Sequence, residues 1–127
     1  MSELTTLYRP VGSKELALIE ESGFTAFPPR LPEQPIFYPV TNEEYACQIA
    51  RDWNTKFNDE KIGYVTRFSL PKSYLAQFER KVVGGAKHEE LWIPAEQLDE
   101  FNSKIIGKIE VIQKFTEADR LEKERIR

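Results

Sequence analysis

The segment 61–70 places the strongest constraint on the fold of this chain, because its pattern has a period of two. From Ile62 to Leu70 every second residue is apolar, aromatic or threonine. Successive side chains of a β-strand point to opposite faces of the sheet, so this period is typical of a strand with one buried face. We therefore predict a half-buried strand in the middle of the chain.

Shorter apolar and aromatic runs predict further strands on both sides of this segment. They lie at 4–9, 36–40, 78–83, 90–93 and 105–115. The first strand is expected to end at Pro10, because proline has no backbone N–H to donate within a sheet.

Helical spacing of apolar residues predicts helices at 13–22, 41–54 and 94–102. Ser13 is the expected N-cap of the first helix and Gly23 its C-terminal glycine. Thr41 and Glu44 have the spacing of a capping box at the start of the second helix, and Trp53 is expected on its apolar face. With a brief turn after the strand at 61–70, this order of strands and helices predicts an α+β fold.

No repeat, linker or low-complexity tract divides the chain, so we expect a single domain over 1–115. The remaining segment, 116–127, has eight charged residues among its twelve and is predicted to be a solvated helix or a frayed tail. Four prolines make 28–35 a stiff extended loop. Two interpretations of this Pro-rich loop stay open, a surface connection and the wall of a cleft.

Charge and cysteine content exclude several classes of protein. The net charge is −3 with both signs interspersed, whereas strong nucleic-acid binders have a basic stripe, so binding to a nucleic-acid backbone is not expected. Cys47 is the only cysteine, which excludes an intrachain disulfide and a thiolate metal site. The N-terminus has no secretory signal, and no apolar run is long enough to cross a membrane. We expect a cytoplasmic protein.

The segment KHEELWIP, 87–94, combines the only histidine with two glutamates and a hydrophobic run. His88 and the glutamates lack the cysteines of a zinc deaminase and the second histidine of a zinc protease, so no metal site is predicted. The chain has no G-x-S-x-G or phosphate-cradling glycine pattern, and Cys47 is interpreted as a small core residue.

A set of polar residues at the ends of predicted elements is left as the candidate site. Its members are Arg9, Tyr38, Tyr45 and Glu90. The residues alone leave an alternative open, in which Glu90 marks an exposed strand edge and Arg9 an ordinary surface position.

Four stretches of the sequence carry a resemblance to a known family. They are LYRPVG, SGF-x-x-FPPR, PIFYPV-x-NEEYA-x-QIARDWN and H-x-E-x-WIPAE. The chain resembles, over 7–115, a group of small bacterial proteins labelled "ADP-ribosylation/crystallin J1". More distantly, the order of motifs is similar to the ADP-ribosyltransferase-like superfamily.

The resemblance implies a fold and a set of roles. The fold is a split β-sandwich of mixed or antiparallel sheets flanked by two to three helices. Arg9 matches the first-strand residue that holds the NAD ribose or phosphate, and Tyr38 or Tyr45 matches the aromatic that stacks on nicotinamide. Glu90 matches the catalytic glutamate. His88, two residues before it, has the chemistry of a base or a group that orients the acceptor, and an ordinary surface histidine is the alternative.

Two departures limit what the resemblance implies. Tyr-Pro-Val-Thr at 38–41 replaces the Ser-Thr-Ser motif of the arginine-modifying branch, and His88 replaces its Glu or Gln. We therefore expect an NAD-dependent ADP-ribosyltransferase or NAD-cleaving enzyme that does not use arginine as acceptor. The alternative is a non-catalytic module on the same scaffold that binds a nucleotide-like ligand or a protein partner.

Overall fold

The computed structural model describes residues 3–58, 60–82 and 88–126. The strands are β1 Leu4–Val11, β2 Ile36–Phe37, β3 Ile62–Pro71, β4 Glu79–Val82, β5 Glu89–Pro94 and β6 Ile106–Thr116. The helices are α1 Ser13–Glu21, α2 Glu43–Ile49, α3 Thr55–Phe57, α4 Lys72–Leu75, α5 Leu98–Ser103 and α6 Glu117–Ile126. A π-helical turn, Ala50–Asn54, joins α2 to α3, and a 3₁₀ turn, Ala95–Gln97, precedes α5.

The strands form two three-stranded antiparallel sheets, and the predicted α+β class is confirmed. One sheet has the order β1-β3-β6 and the other the order β2-β5-β4. Val40 lies between them, because it forms isolated bridges to Tyr8 of β1 and to Glu90 of β5. Val40 thus connects the edge strand β1 of the first sheet to the central strand β5 of the second.

The main core lies between the two sheets. Inward residues of the first sheet, such as Leu7 and Phe68, belong to the same buried cluster as Phe37, Leu91 and Ile93 of the second. Four aromatic rings dominate its centre, with centroids 4.8 to 6.1 Å apart in tilted or edge-to-face pairs; they are Phe27, Phe37, Phe68 and Phe101. Such pairs add to the hydrophobic stabilisation of burying each ring.

The central strand β3 is covered on both faces over its first half, so the prediction of one buried face is wrong there. Phe68 and Leu70 belong to the core between the sheets. Val65, on the opposite face, is fully buried against Ala46 and Ala50 of the helical layer. The small side chains of Ala46 and Ala50 let that layer approach the sheet closely. The alternation of residues along β3 does not reveal that a helical layer covers its second face.

The first strand continues through Pro10 to Val11, so the expected end at the proline is wrong. Tyr8 exchanges both of its backbone hydrogen bonds with Val40, at 2.9 and 2.8 Å. Backbone groups two residues apart in a strand point to the same side, so the nitrogen of Pro10 also faces away from β3. The missing N–H of the proline therefore removes no hydrogen bond from the β1–β3 ladder.

The helix caps differ by one residue from the predicted ones. Gly12 is the N-cap of α1, with its carbonyl accepting from Leu16, and Ser13 is the first helical residue. Gly23 follows the helix at φ +77°, as predicted for a C-terminal glycine. Asn42, not Thr41, caps α2, since its Oδ1 accepts from the Tyr45 N–H at 3.0 Å.

A π-helical turn changes which face of the second helical segment is buried. Trp53 was expected on the apolar face but is 60% exposed, and its ring packs on Phe57 at 4.3 Å between centroids. A π turn widens the helix by one residue per turn, so positions beyond it rotate away from the stripe set by α2. The helical spacing that identified Ala46 and Ala50 correctly therefore fails at Trp53.

The remaining boundaries agree with the predicted ones to within a few residues. The second strand ends at Phe37 and not at Val40, because Pro39 interrupts it. The predicted strand end at Val83 and the glycine turn after it lie outside the described residues. The charged C-terminal segment contains helix α6, and none of the described helices is long and apolar enough to span a membrane.

Gly63 is where β3 meets the π turn, and we predict that it tolerates no side chain. A Cβ at this position would lie 2.8 Å from Asn54 Cβ and closer still to the Ala50 carbonyl oxygen. Gly63→Ala is expected to lower the free energy of unfolding by roughly 1–3 kcal/mol through overpacking. Urea unfolding measures this difference, and an unchanged midpoint would contradict the close packing of the turn on β3.

Candidate functional site

A cavity of about 450 Å³ opens where the two sheets meet at Val40. Residues from β1, α1, the Pro-rich loop, α2, the π turn and β5 line this inter-sheet cavity. Those with functional groups are Arg9, Glu15, Arg30, Gln34, Tyr38, Tyr45, Trp53, Asn54, Asn58 and Glu90. The structure thus brings four of the five predicted site residues to one cavity, and His88 is not among its lining residues.

Arg9 lies in the middle of β1, on the same face as the buried Leu7 and Val11, and is only 7% exposed. Its guanidinium forms a two-point pair with Glu15 of α1, with Nε–Oε2 at 2.7 Å and Nη2–Oε1 at 3.0 Å. The buried Thr66 hydroxyl donates to the Arg9 carbonyl at 2.9 Å and holds the backbone in place. The interpretation of Arg9 as a surface residue is therefore wrong.

Arg30 extends from the Pro-rich loop towards the same place. Its guanidinium carbon lies 6.0 Å from the centroid of Phe37, and that of Arg9 lies 4.7 Å from the same centroid. Burial, followed by repulsion from Arg9, lowers the pKa of Arg30 below its ordinary value. Through Arg30 and Gln34 the loop forms part of the cavity wall, which settles the choice between a wall and a plain surface connection.

Glu90 is 9% exposed, so its interpretation as an exposed strand edge is also wrong. The Tyr45 hydroxyl donates to its Oε2 at 2.8 Å, and the Trp92 indole N–H donates to its Oε1 at 3.1 Å. Both donors are uncharged. The carboxylate is therefore held in position by hydrogen bonds that do not neutralise its charge.

The preceding glutamate, Glu89, has a structural role on the other face of β5. Its Oε1 accepts from the Thr41 hydroxyl at 2.8 Å and from Arg80 at 3.3 Å. This explains why Thr41 does not cap α2, and it fixes the segment beside Val40. Of the two adjacent glutamates, only Glu90 lines the cavity.

Tyr45 is held in position by contacts with His88 and Glu90. Its ring stacks on His88 with centroids 4.3 Å apart and planes 12° from parallel, and its hydroxyl binds Glu90. Burial, the Glu90 hydrogen bond and the Glu90 charge raise the pKa of Tyr45 to about 12. At neutral pH the hydroxyl keeps its proton and stays a donor to Glu90. His88 contacts the site through this ring.

The cavity has two chemically different ends. Arg30 has Arg9, Glu15 and Tyr38 as its electrostatic neighbours, whereas Tyr45 has Glu90 and Tyr38. The Arg30 guanidinium carbon lies 5.9 Å from the centroid of the Tyr38 ring, and at 44% exposed this ring is accessible to a ligand. Trp53 adds an exposed aromatic ring to the lining.

Other chemistry has less support in the described part of the chain. Among those residues no group of three or more His, Cys, Asp or Glu side chains is arranged to hold a metal ion. Cys47 packs against the cluster under α2, and burial raises the pKa of its thiol, which disfavours the reactive thiolate.

Sequence reasoning missed several residues of the site. Glu15 is not among the predicted site residues, although an arginine between two inward apolar residues indicates a buried charge that needs a carboxylate. Trp92 was assigned to a buried run, but period two along β5 places it on the face of Glu90. The sequence does not indicate that Trp53 lines the site, because no residue pattern in it predicts the π turn that exposes this side chain.

Comparison with known proteins identifies no relative: no family model, curated protein or solved structure matches this chain. The resemblance to the ADP-ribosyltransferase-like group stays a prediction.

The Tyr45–Glu90 contact predicts a specific dependence of stability on alkaline pH. The pKa of Tyr45 rises from 10.0 in an unperturbed tyrosine to about 12 in the folded protein. A group of this kind contributes stability that is full below its unfolded pKa and is lost as the pH rises through its folded pKa. Wild type should therefore lose more stability between pH 10 and pH 12 than Tyr45→Phe.

Urea unfolding at several pH values between about 8 and 12 measures this difference. Equal losses in the two proteins over that interval would show that the folded protein does not raise the pKa of Tyr45.

Proposed function

We propose that the inter-sheet cavity binds NAD and that Glu90 promotes cleavage of its nicotinamide–ribose bond. The observation that supports this most strongly is the presence, in one cavity, of a buried carboxylate held by neutral donors and of two guanidinium groups. NAD has matching chemistry. Its nicotinamide ring is positively charged and matches the carboxylate, and its diphosphate is negatively charged and matches the guanidinium groups. A cavity of about 450 Å³ is also within the range of small-molecule sites.

The reaction would need little from the protein beyond charge and position. The bond between ribose C1′ and nicotinamide N1 breaks with its electron pair remaining on N1, so neutral nicotinamide leaves. Positive charge then develops on C1′ and the ring oxygen, as in glycoside hydrolysis. Water adds at C1′ and loses a proton to solvent, which yields ADP-ribose.

The surroundings of Glu90 suit this role in electrostatic terms. A carboxylate fixed in advance and shielded from bulk water stabilises developing positive charge better than a mobile, hydrated one. Tyr45 and Trp92 supply the fixing without adding a cation that would compete for the carboxylate. Tyr38, an exposed ring in the cavity lining, is the aromatic available to stack on nicotinamide.

We propose water as the acceptor in this reaction. His88 stacks on Tyr45 and does not line the cavity, so a role for His88 in orienting an acceptor has no support from its position. We infer that His88 instead restricts the orientation of the Tyr45 ring and, through it, of Glu90.

A non-catalytic nucleotide-binding module is the second candidate function. Both oxygens of Glu90 already accept hydrogen bonds, which favours a carboxylate whose task is to hold the site together. Under this alternative the cavity binds NAD or a related nucleotide without breaking it.

We predict that wild type releases nicotinamide from NAD and that Glu90→Gln lowers the rate by about 100-fold or more. Glutamine keeps an acceptor for Tyr45 but has no negative charge to stabilise C1′. Release is measured chromatographically, and binding is measured as the shift in melting temperature with NAD. Glu110→Gln, on an exposed stretch of β6, is the matched control and should behave as wild type.

The two functions predict different outcomes. Nicotinamide release that disappears in Glu90→Gln, with the thermal shift kept, supports the catalytic role. A thermal shift with no release by wild type supports the binding module. No shift and no release would exclude both for NAD.

A further inference from the structure

We propose that Arg30, together with Arg9, forms a subsite for the diphosphate group of a nucleotide ligand. This deepens the proposed function, since NAD contains a diphosphate, but it concerns binding only and can be tested without NAD. It also assigns a role to the Pro-rich loop. Neither the charge pattern nor the resemblance had given a role to Arg30.

Both guanidinium groups lie beside the ring of Phe37. Their carbon atoms lie 4.7 and 6.0 Å from the centroid of the same ring, Phe37, and both side chains line the inter-sheet cavity. Two like charges brought together in a partly buried place repel one another, and this arrangement is costly without an anion. Phe37 offers them only the face of its ring.

Glu15 satisfies only one of the two arginines. Both of its carboxylate oxygens bind Arg9. Among the described residues no ion pair involves Arg30, and its Nε is buried without a hydrogen-bond partner. A buried guanidinium donor of this kind needs an acceptor, and a phosphate oxygen supplies one with the geometry that guanidinium groups favour.

The loop holds the backbone of Arg30 in place in advance. The Phe27 backbone exchanges hydrogen bonds with the Asn102 side chain at 2.9 and 3.0 Å, which anchors the start of the loop. The Pro35 carbonyl accepts from the Ala95 N–H at 2.8 Å, which anchors its end. Because Pro28 and Pro29 have restricted backbone angles, the backbone that carries Arg30 has little conformational freedom to lose on binding.

A diphosphate matches this subsite better than a single carboxylate does. Arg9 has used its Nε and Nη2 on Glu15, so it contributes its remaining N–H groups, whereas Arg30 contributes its whole fork. The ligand must therefore accept from two separate guanidinium groups at once, and two linked phosphates provide enough oxygens to do so. Burial first, and repulsion from Arg9 second, lower the pKa of Arg30, and binding of such a dianion would offset the repulsion.

The test is calorimetric titration with three probes: inorganic pyrophosphate, ADP and adenosine. Wild type is expected to bind pyrophosphate and ADP and to bind adenosine far more weakly. Arg30→Gln should weaken ADP binding by about 10-fold or more, the loss expected for a hydrogen-bonded charge. Arg30→Lys keeps the positive charge but lacks the planar fork of N–H donors, so its affinity for ADP should lie between those of wild type and Arg30→Gln.

Arg67→Gln is the matched control, because Arg67 pairs with Glu110 outside the cavity and should leave ADP binding unchanged. Melting curves without ligand verify that each variant is folded; if Arg30→Gln is not, the Arg30→Lys comparison decides. Equal affinity of wild type and the folded Arg30 variants for ADP, or no binding of ADP and pyrophosphate by wild type, would overturn the proposal.

The outcome separates this inference from the catalytic proposal. Arg30-dependent binding of ADP without any nicotinamide release would support the subsite and reject NAD cleavage. Nicotinamide release with the same KM in wild type and Arg30→Gln would reject the subsite and support NAD cleavage.

Discussion

The backbone of Val40 is the contact on which the arrangement of the site depends. Its N–H and carbonyl both pair with Tyr8 of β1, at 2.8 and 2.9 Å. The flanking Pro39 carbonyl and Thr41 N–H pair with Leu91 and Glu89 of β5, at 2.9 and 3.2 Å. The segment 39–41, with Val40 at its centre, thus connects the edge strand β1 of one sheet to the central strand β5 of the other. Arg9 follows Tyr8 and Glu90 lies opposite Val40, so this connection brings both side chains to one opening.

The charges at that opening are expensive to bury, and the structure compensates them unequally. Arg9 has a two-point carboxylate partner, and Glu90 has two neutral donors. Arg30, which is half-buried, has aromatic rings beside it, repulsion from Arg9 and a weaker attraction to Glu15. Buried ionic groups are weak contributors to stability, so the buried Arg9 and Glu90 around one cavity point to a functional requirement. This unequal compensation is the basis of the diphosphate subsite that we propose at Arg9 and Arg30.

The sequence predicted the α+β class and most strands because those features depend on local periodicity. It placed Arg9, Tyr38, Tyr45 and Glu90 in one set, and the structure brings them together. The failures have physical causes that local patterns do not contain. Pro10 is tolerated in β1 because its nitrogen faces away from the β1–β3 ladder, and Trp53 is exposed because a π turn follows α2. The partnership of Arg30 with Arg9 depends on a loop whose path only the fold determines.

Amide hydrogen exchange with and without NAD tests most directly whether the inter-sheet cavity is the ligand site. Exchange reports local opening, and a ligand that bridges the two sheets should slow it at the elements that line the cavity. We predict slower exchange with NAD in peptides spanning 7–12, 30–40 and 88–93, and unchanged exchange in the part of β6 that lies outside the core. Unchanged exchange in all three peptides at saturating NAD, or protection confined to other parts of the chain, would contradict it.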